Sequence, residues 1–215
     1  MITKIKKIVE SKKKCDIVII GKGSSIDSID LSLLKNYIVI NTNDSEIIFP
    51  GDICIYNQEF TNDYLKINNP ECKLYFSNFI NHNPDLNHIH LDYIPYSPES
   101  SDFLISRFFS NKLYIENSIL ISALRISNEI SKILNIKKNV FLLGFDFSIE
   151  KGYTNKIRNA SSHYDPLFSE KVISMQENLL EMLFLEKEKL SINIKHVGKK
   201  EFSVYTTNAF NHLFN

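Results

Sequence analysis

Two kinds of stretch alternate along the chain. Short apolar, mostly β-branched runs stand at residues 16–20, 37–40, 53–56 and 140–143, with a further run at 191–196. Runs of this length that stay apolar at successive positions predict strands buried on both faces, as in a parallel sheet. Residues 74–76 and 88–93 read as further short strands. Longer stretches carry apolar residues at three and four spacing. Leu120, Ala123, Leu124, Ile126, Ile130, Ile133 and Leu134 do so within residues 118–135. Val172, Met175, Leu179, Met182, Leu183 and Leu185 do so within residues 169–190. Both stretches predict long helices. Residues 1–14 place Ile2, Ile5, Ile8 and Val9 at helical spacing among lysines, which predicts a first helix, either solvated or touching an anionic membrane face. Helices that lead into buried strands predict an α/β fold with a mostly parallel, Rossmann-like sheet and helices on both faces.

The strand ends carry the polar chemistry. The first run stops at Gly21-Lys22-Gly23-Ser24-Ser25 and is followed by Ile26 to Leu34. Strand, glycine turn and a helix starting at Ser24 or Ser25 would make a phosphate-facing unit, with backbone close to the ligand and free N–H groups at the helix start. Two glycines also suit a plain tight turn. The spacing is neither GxxxxGK[ST] nor GxGxxG. The second run ends in Asn41-Thr42-Asn43-Asp44 and the third in Asn57-Gln58. Asparagine offers donor and acceptor together at a sheet rim, and it is equally a common turn residue. The run at 140–143 stops at Gly144-Phe145-Asp146-Phe147-Ser148, and a polar segment leads on to Ser161-Ser162-His163-Tyr164-Asp165. Ligands of open α/β sheets sit beyond the carboxyl ends of the strands. That places the chemistry at this rim, with residues 149–168 as a lid loop.

Composition narrows the classes. A chain of 215 residues fits one domain, residues 1–215, with a full core. Twenty-five basic residues balance 25 acidic ones, so no global field calls for nucleic acid. Cys15, Cys54 and Cys72 form no CxxC pair, which argues against a disulfide framework or zinc site and suits a reducing compartment. His88-Ile89-His90 puts two imidazoles on one face of a strand, as metal ligands or as surface histidines. No apolar run approaches the roughly 18 residues of a membrane span, and the start has no signal-like apolar core. These features lead to the expectation of a cytoplasmic protein.

The motifs at the strand ends resemble those of the bacterial CMP-sialic-acid sialyltransferases of glycosyltransferase family 42. The run from Val18 to Ser25, followed by Ile29-Asp30 and Leu33, is similar to that family's opening strand and Gly-Asn-Gly-Pro-Ser turn. Asn43 matches the asparagine ending its next strand, and Tyr56-Asn57 matches a Tyr-Asn pair closing the third. Leu143-Gly144-Phe145-Asp146-Phe147 looks like its Ser-Gly-Ile-Asp-Phe strand end, and Ser162-His163-Tyr164 like the Ser-His-Tyr that carries its catalytic histidine. Three positions depart from the pattern. Lys22 replaces the turn asparagine, Ser148 stands where the family has a tyrosine at the phosphate, and its Thr-Ser-Gly before the long helix is matched at best by Ser122-Ala123-Leu124.

The resemblance implies a GT-A-type fold and transfer of a nonulosonic sugar, sialic acid or a relative, from a CMP-activated donor to a cell-surface glycan or glycolipid. The reaction would invert the anomeric centre without metal, and CMP-sugar would be substrate rather than cofactor. The catalytic residues would be His163 and Tyr153, the substrate-binding ones Gly21, Lys22, Gly23, Ser24, Asn43, Asn57, Ser122, Gly144, Asp146, Ser162 and Tyr164. Chemistry agrees on the base. An attacking hydroxyl must lose a proton, and histidine, with an ordinary pKa of about 6.5, suits that task near neutral pH. From residues alone, His163 is also a candidate loop cap. Such an enzyme would work in the cytoplasm, with peripheral contact at the inner membrane face and homo-oligomerisation both open. Two other classes fit the pattern: a non-catalytic nucleotide-binding subunit of a glycan-assembly complex, and a pterin pyrophosphokinase-like enzyme holding magnesium on Asp146 and Asp165.

Overall fold

The computed structural model of the chain describes residues 1–81, 83, 85–95, 97, 103–157 and 166–213. In chain order the strands are β1 (Ile17–Ile20), β2 (Ile38–Thr42), β3 (Ile53–Tyr56), β4 (Leu74–Ser77), β5 (His88–His90), β6 (Tyr93–Ile94), β7 (Ile115–Glu116), β8 (Lys138–Leu143) and β9 (Ile192–His196). Seven of them form one sheet in the order β5-β4-β3-β2-β1-β8-β9, and every pairing in it is parallel. β6 and β7 make a separate parallel pair. The order runs outward from β1 to β5, then returns to set β8 on the other side of β1. That reversal is a topological switch point, where a crevice opens beyond the strands' carboxyl ends.

Among the described residues the α-helices are α1 (Ile2–Val9), α2 (Glu59–Ile67), α3 (Leu104–Phe108), α4 (Ile119–Leu134), α5 (Pro166–Leu185) and α6 (Thr207–Asn211). Strand residues alternate between the two sheet faces, and each face has its own core. Ile17, Ile19, Ile38, Ile40, Val140 and Leu142 pack with α1, α4 and α5. Val18, Ile20, Val39, Phe141 and Leu143 pack on the opposite side with Ile26, Leu34, Tyr37 and Phe210 of α6. Both sets are buried, which is why these strands read as unbroken apolar runs. The apolar stripe of α1 serves the first core, since Ile5 and Val9 are fully buried. Among the described residues no helix is long and apolar enough to cross a membrane.

Two expectations are corrected. The helix starting at Ser24 or Ser25 is instead two 3-10 turns, Ser24–Ser28 and Leu31–Asn36. Ile29 is extended at φ −91° and ψ 134°, and the Asp30 side chain accepts from Ser32 N–H to start the second turn, so no α-helical dipole faces the glycines. The strand at 88–93 splits: β5 joins the large sheet and β6 leaves to pair with β7. The two imidazoles of β5 are engaged separately, His88 Nε2 with Ser77 Oγ at 2.8 Å and His90 Nδ1 with the Phe79 carbonyl at 3.2 Å.

Candidate functional site

The ends of β1 and β8 are tied to each other before any ligand is considered. Gly21 N–H donates to the Leu143 carbonyl at 2.8 Å, and Gly23 N–H to the Gly144 carbonyl at 2.7 Å. A Cβ on Gly21 would stand 2.5 Å from the Gly144 oxygen, and one on Gly23 would stand 2.6 Å from Asp146 Oδ2. Close approach of the two strand ends therefore accounts for both glycines, and the Gly23 N–H is not free for a phosphate. Asp146 closes the same junction by accepting from Ser25 N–H at 2.9 Å. Ser24 lies on that turn, its Oγ 3.5 Å from Asp146 Oδ2.

Beyond Gly144 the chain takes two left-handed steps, Gly144 at φ 71° and Phe147 at φ 46°. The second turns the Phe147 ring against His196, with centroids 5.6 Å apart. His196 is fully buried, with Nε2 2.7 Å from the Phe145 carbonyl and Nδ1 2.8 Å from Ser203 Oγ. A carbonyl only accepts, so Nε2 carries the proton and Ser203 donates to Nδ1. Burial pushes the His196 pKa below the ordinary histidine value, and the ring acts as a neutral brace behind the site.

The first part of the expected lid, residues 149–157, is folded down onto the β1 turn. Tyr153 bridges Gly23 in antiparallel fashion, Ser24 N–H donates to the Gly152 carbonyl at 3.3 Å, and Thr154 N–H donates to the Lys22 carbonyl at 2.9 Å. The Thr154 hydroxyl meets the Asp27 carboxylate, and Ile157 is fully buried.

These elements enclose a cavity of about 280 Å³ at the switch point. Its floor is Gly21, Lys22 and Gly23 after β1, with Thr42 and Asn43 at the end of β2 and the run 144–149 after β8. Gln58 and Phe60 close one side, and Ile119, Gly152, Tyr153, Val172, Ile173 and Gln176 close the others. Mixed apolar walls with a few polar groups suit a small organic ligand. Asn43 holds a left-handed φ of 50°; its Oδ1 accepts from Asn57 N–H at 3.2 Å, and its Nδ2 makes no hydrogen bond among the described residues. Lys22 Nζ stands 2.9 Å from Asp44 Oδ1 and lies over the rings of Phe60 and Tyr153.

Of the residues expected at the site, Gly21, Lys22, Gly23, Asn43, Gly144, Asp146 and Tyr153 line this one cavity, and Ser148 joins them. Two do not. Asn57 Nδ2 donates to the Glu116 and Asn117 carbonyls at 3.2 and 2.9 Å, so it fixes the approach to α4. Ser122 is buried a turn inside α4, where its Oγ accepts from Glu116 N–H at 2.8 Å. The serine at the helix start is Ser118, buried and with no hydrogen-bond partner for its Oγ among the described residues, directly before the cavity residue Ile119. Ser162, His163 and Tyr164 lie outside the described residues, as does Asp165. Gln58, Phe60, Ile173 and Gln176 were not expected; only the adjacency of Gln58 to the Tyr56-Asn57 strand end points to any of them. Among the described residues no three His, Cys, Asp or Glu side chains are grouped to hold a metal ion.

Fold and cavity together define an α/β protein with a Rossmann-like parallel sheet and a ligand-sized crevice at its switch point. No protein-family model matches the chain, and no curated protein does. Among solved structures it is similar to a reductase studied by structure-guided engineering to attenuate substrate inhibition in asymmetric catalysis, at 13% identity and a TM-score of 0.27. That match covers 85% of this chain and 57% of the reductase.

Proposed function

We propose that the protein is a glycosyltransferase that moves a nonulosonic sugar from a CMP-activated donor to a glycan or glycolipid acceptor in the cytoplasm. One observation carries the reading. Gly21 to Gly23 and Gly144 to Asp146, more than a hundred positions apart, border one cavity at the switch point together with Asn43 and Tyr153. These are the positions at which the sequence resembles the family 42 sialyltransferases. The Nδ2 of Asn43, without a partner among the described residues, is a donor for the base or ribose, and Tyr153 stands at the same wall for the phosphate.

In this mechanism the acceptor hydroxyl attacks the anomeric carbon from the face opposite the phosphate. The carbon–oxygen bond to phosphate breaks, CMP leaves with the electron pair, and the anomeric centre inverts. The hydroxyl proton passes to a base, and the resemblance gives that part to His163. Charge grows on the departing phosphate, so polar and cationic groups at the cavity floor lower the barrier.

CMP at a hundred times its dissociation constant is expected to stabilise the fold by about 2.7 kcal/mol, raising Tm by roughly 5–11 °C. A purine nucleotide that raises Tm where CMP does not rejects the pyrimidine assignment. His163→Ala is expected to cut donor turnover by roughly 10²–10⁴ while CMP affinity holds, with parental turnover resistant to chelation. Turnover unchanged per folded molecule removes His163 as base. CMP binding with no donor hydrolysis at all makes the protein a binding subunit instead.

A further inference from the structure

Most buried carboxylates near the sheet ends are fully engaged. Glu46 accepts from Cys72 N–H at 3.2 Å and from Tyr75 O–H at 2.9 Å. Asp52 accepts from Lys12, Lys73 and Val39 N–H at 2.8, 2.7 and 3.0 Å. Asp44 is the exception. Its side chain is 2% exposed, and among the described residues neither oxygen receives a hydrogen bond of good geometry. Its one neighbour of opposite charge among the described residues is Lys22 Nζ at 2.9 Å. A buried charge this poorly satisfied is costly to keep and calls for an explanation.

Lys22 is correspondingly unusual. It is the only cation among the described residues that line the cavity, and its side chain is 14% exposed. Its ammonium carries three N–H donors. Asp44 lies on one side, and the faces of Phe60 and Tyr153 lie on others, with centroids 4.9 and 5.0 Å away. Rings attract a cation without accepting a directed hydrogen bond as an oxygen does. The ammonium is thus held in a water-poor corner with donor capacity left over, facing a cavity.

We propose that Lys22 and Asp44 form an anion subsite of the cavity that takes the phosphate group of a phosphate-ester ligand. Lys22 donates to the phosphate oxygens, and Asp44 is a positioning residue that holds the ammonium while its own charge opposes the incoming anion. The inference rests on the nucleotide reading above only for the choice of CMP as probe. Asp44 is separated from the cavity by Lys22, so the two residues make opposite predictions. Removing the carboxylate leaves the cation with less to oppose a phosphate, whereas removing both charges leaves the phosphate without a partner.

The experiment measures CMP and cytidine affinities for the parent, for Asp44→Asn, and for the double variant Lys22→Met with Asp44→Asn. The double variant carries no unpaired buried charge, so it is expected to fold where Lys22→Met alone would leave Asp44 stranded. Inorganic pyrophosphate in a thermal-shift assay serves as a probe without a base. The parent is expected to prefer CMP over cytidine by roughly ten- to a hundredfold, as a hydrogen bond to a charged group implies. Asp44→Asn is expected to widen that preference, and the double variant to erase it at unchanged cytidine affinity. A merely structural pair would weaken both ligands together. If CMP fails to bind yet pyrophosphate stabilises the parent and not the double variant, the nucleotide reading falls and the subsite stands. A parent indifferent to both anions, or a double variant that still prefers them, overturns the subsite. Narrower discrimination in Asp44→Asn overturns the part given to Asp44.

Discussion

Gly144 ends β8 by stepping to φ 71°, with its backbone against Gly21. An alanine there would sit in a left-handed conformation that costs an L-residue about 1–2 kcal/mol, and its Cβ would meet the Gly21 oxygen at 3.0 Å. Gly144→Ala is therefore expected to lower Tm by roughly 2–8 °C and to weaken ligand binding. An unchanged melting curve would mean the junction relaxes freely. The sequence shows the glycine, because a buried strand that ends in Gly-x-Asp must turn. It does not show the partner. Gly21 and Gly23 suggest phosphate contacts by spacing, and only the register of β1 on β8 reveals that they make room for each other. Ser122 and Ser118 teach the same lesson at a helix start. Ser118 makes no side-chain cap, so nothing local marks the first turn, and the residue that lies a turn deeper is the one the motif selects.

At the scale of elements, strands buried on both faces were legible because each residue faces a core: β1, β3 and β8 stand where the apolar runs are. The 3-10 turns after β1 were not. A run from Ile26 to Leu34 has helical spacing, but Asp30 competes for the backbone through Ser32 N–H and resets the chain. The edge strand β5 carries the pH dependence that can be argued. His88 is half-buried against Ser77, and its pKa is lowered to about 4, first by burial and then by His90 and Lys4. Unfolding returns it to about 6.5, so below that pH the unfolded chain binds more protons and stability falls with pH toward about 4. His196, depressed by burial, acts in the same direction. Urea midpoints are thus expected to be level above pH 6.5 and to decline below it. His88→Asn, which keeps a polar partner for Ser77, is expected to flatten part of the decline. Equal slopes in both proteins would assign the whole effect elsewhere.

At the scale of the molecule, the switch point divides the sheet into β1 to β5 and the pair β8, β9, yet both main cores cross it, and only a small cluster of Cys54, Tyr56, Leu65, Cys72 and Tyr75 lies wholly on one side. The first core runs without a break from Ile5 of α1 through β1 to β4, β8 and α4 to Leu190 and Ile192 beside and within β9. The polar rim is built across the same seam, since Gly21 and Gly23 bond to the Leu143 and Gly144 carbonyls. Breaking the β1–β8 pairing would expose both faces of two central strands at once, so neither part gains by opening alone. Unfolding in urea is therefore expected to be one cooperative transition. Far-ultraviolet circular dichroism and tyrosine fluorescence should give the same midpoint; the chain has 10 tyrosines and no tryptophan. A ligand seated across the seam should move both midpoints by the same amount, because it binds only the closed arrangement. Two separated transitions, with ligand shifting only one, would show that β8 and β9 open as a unit of their own and that the crevice is a hinge.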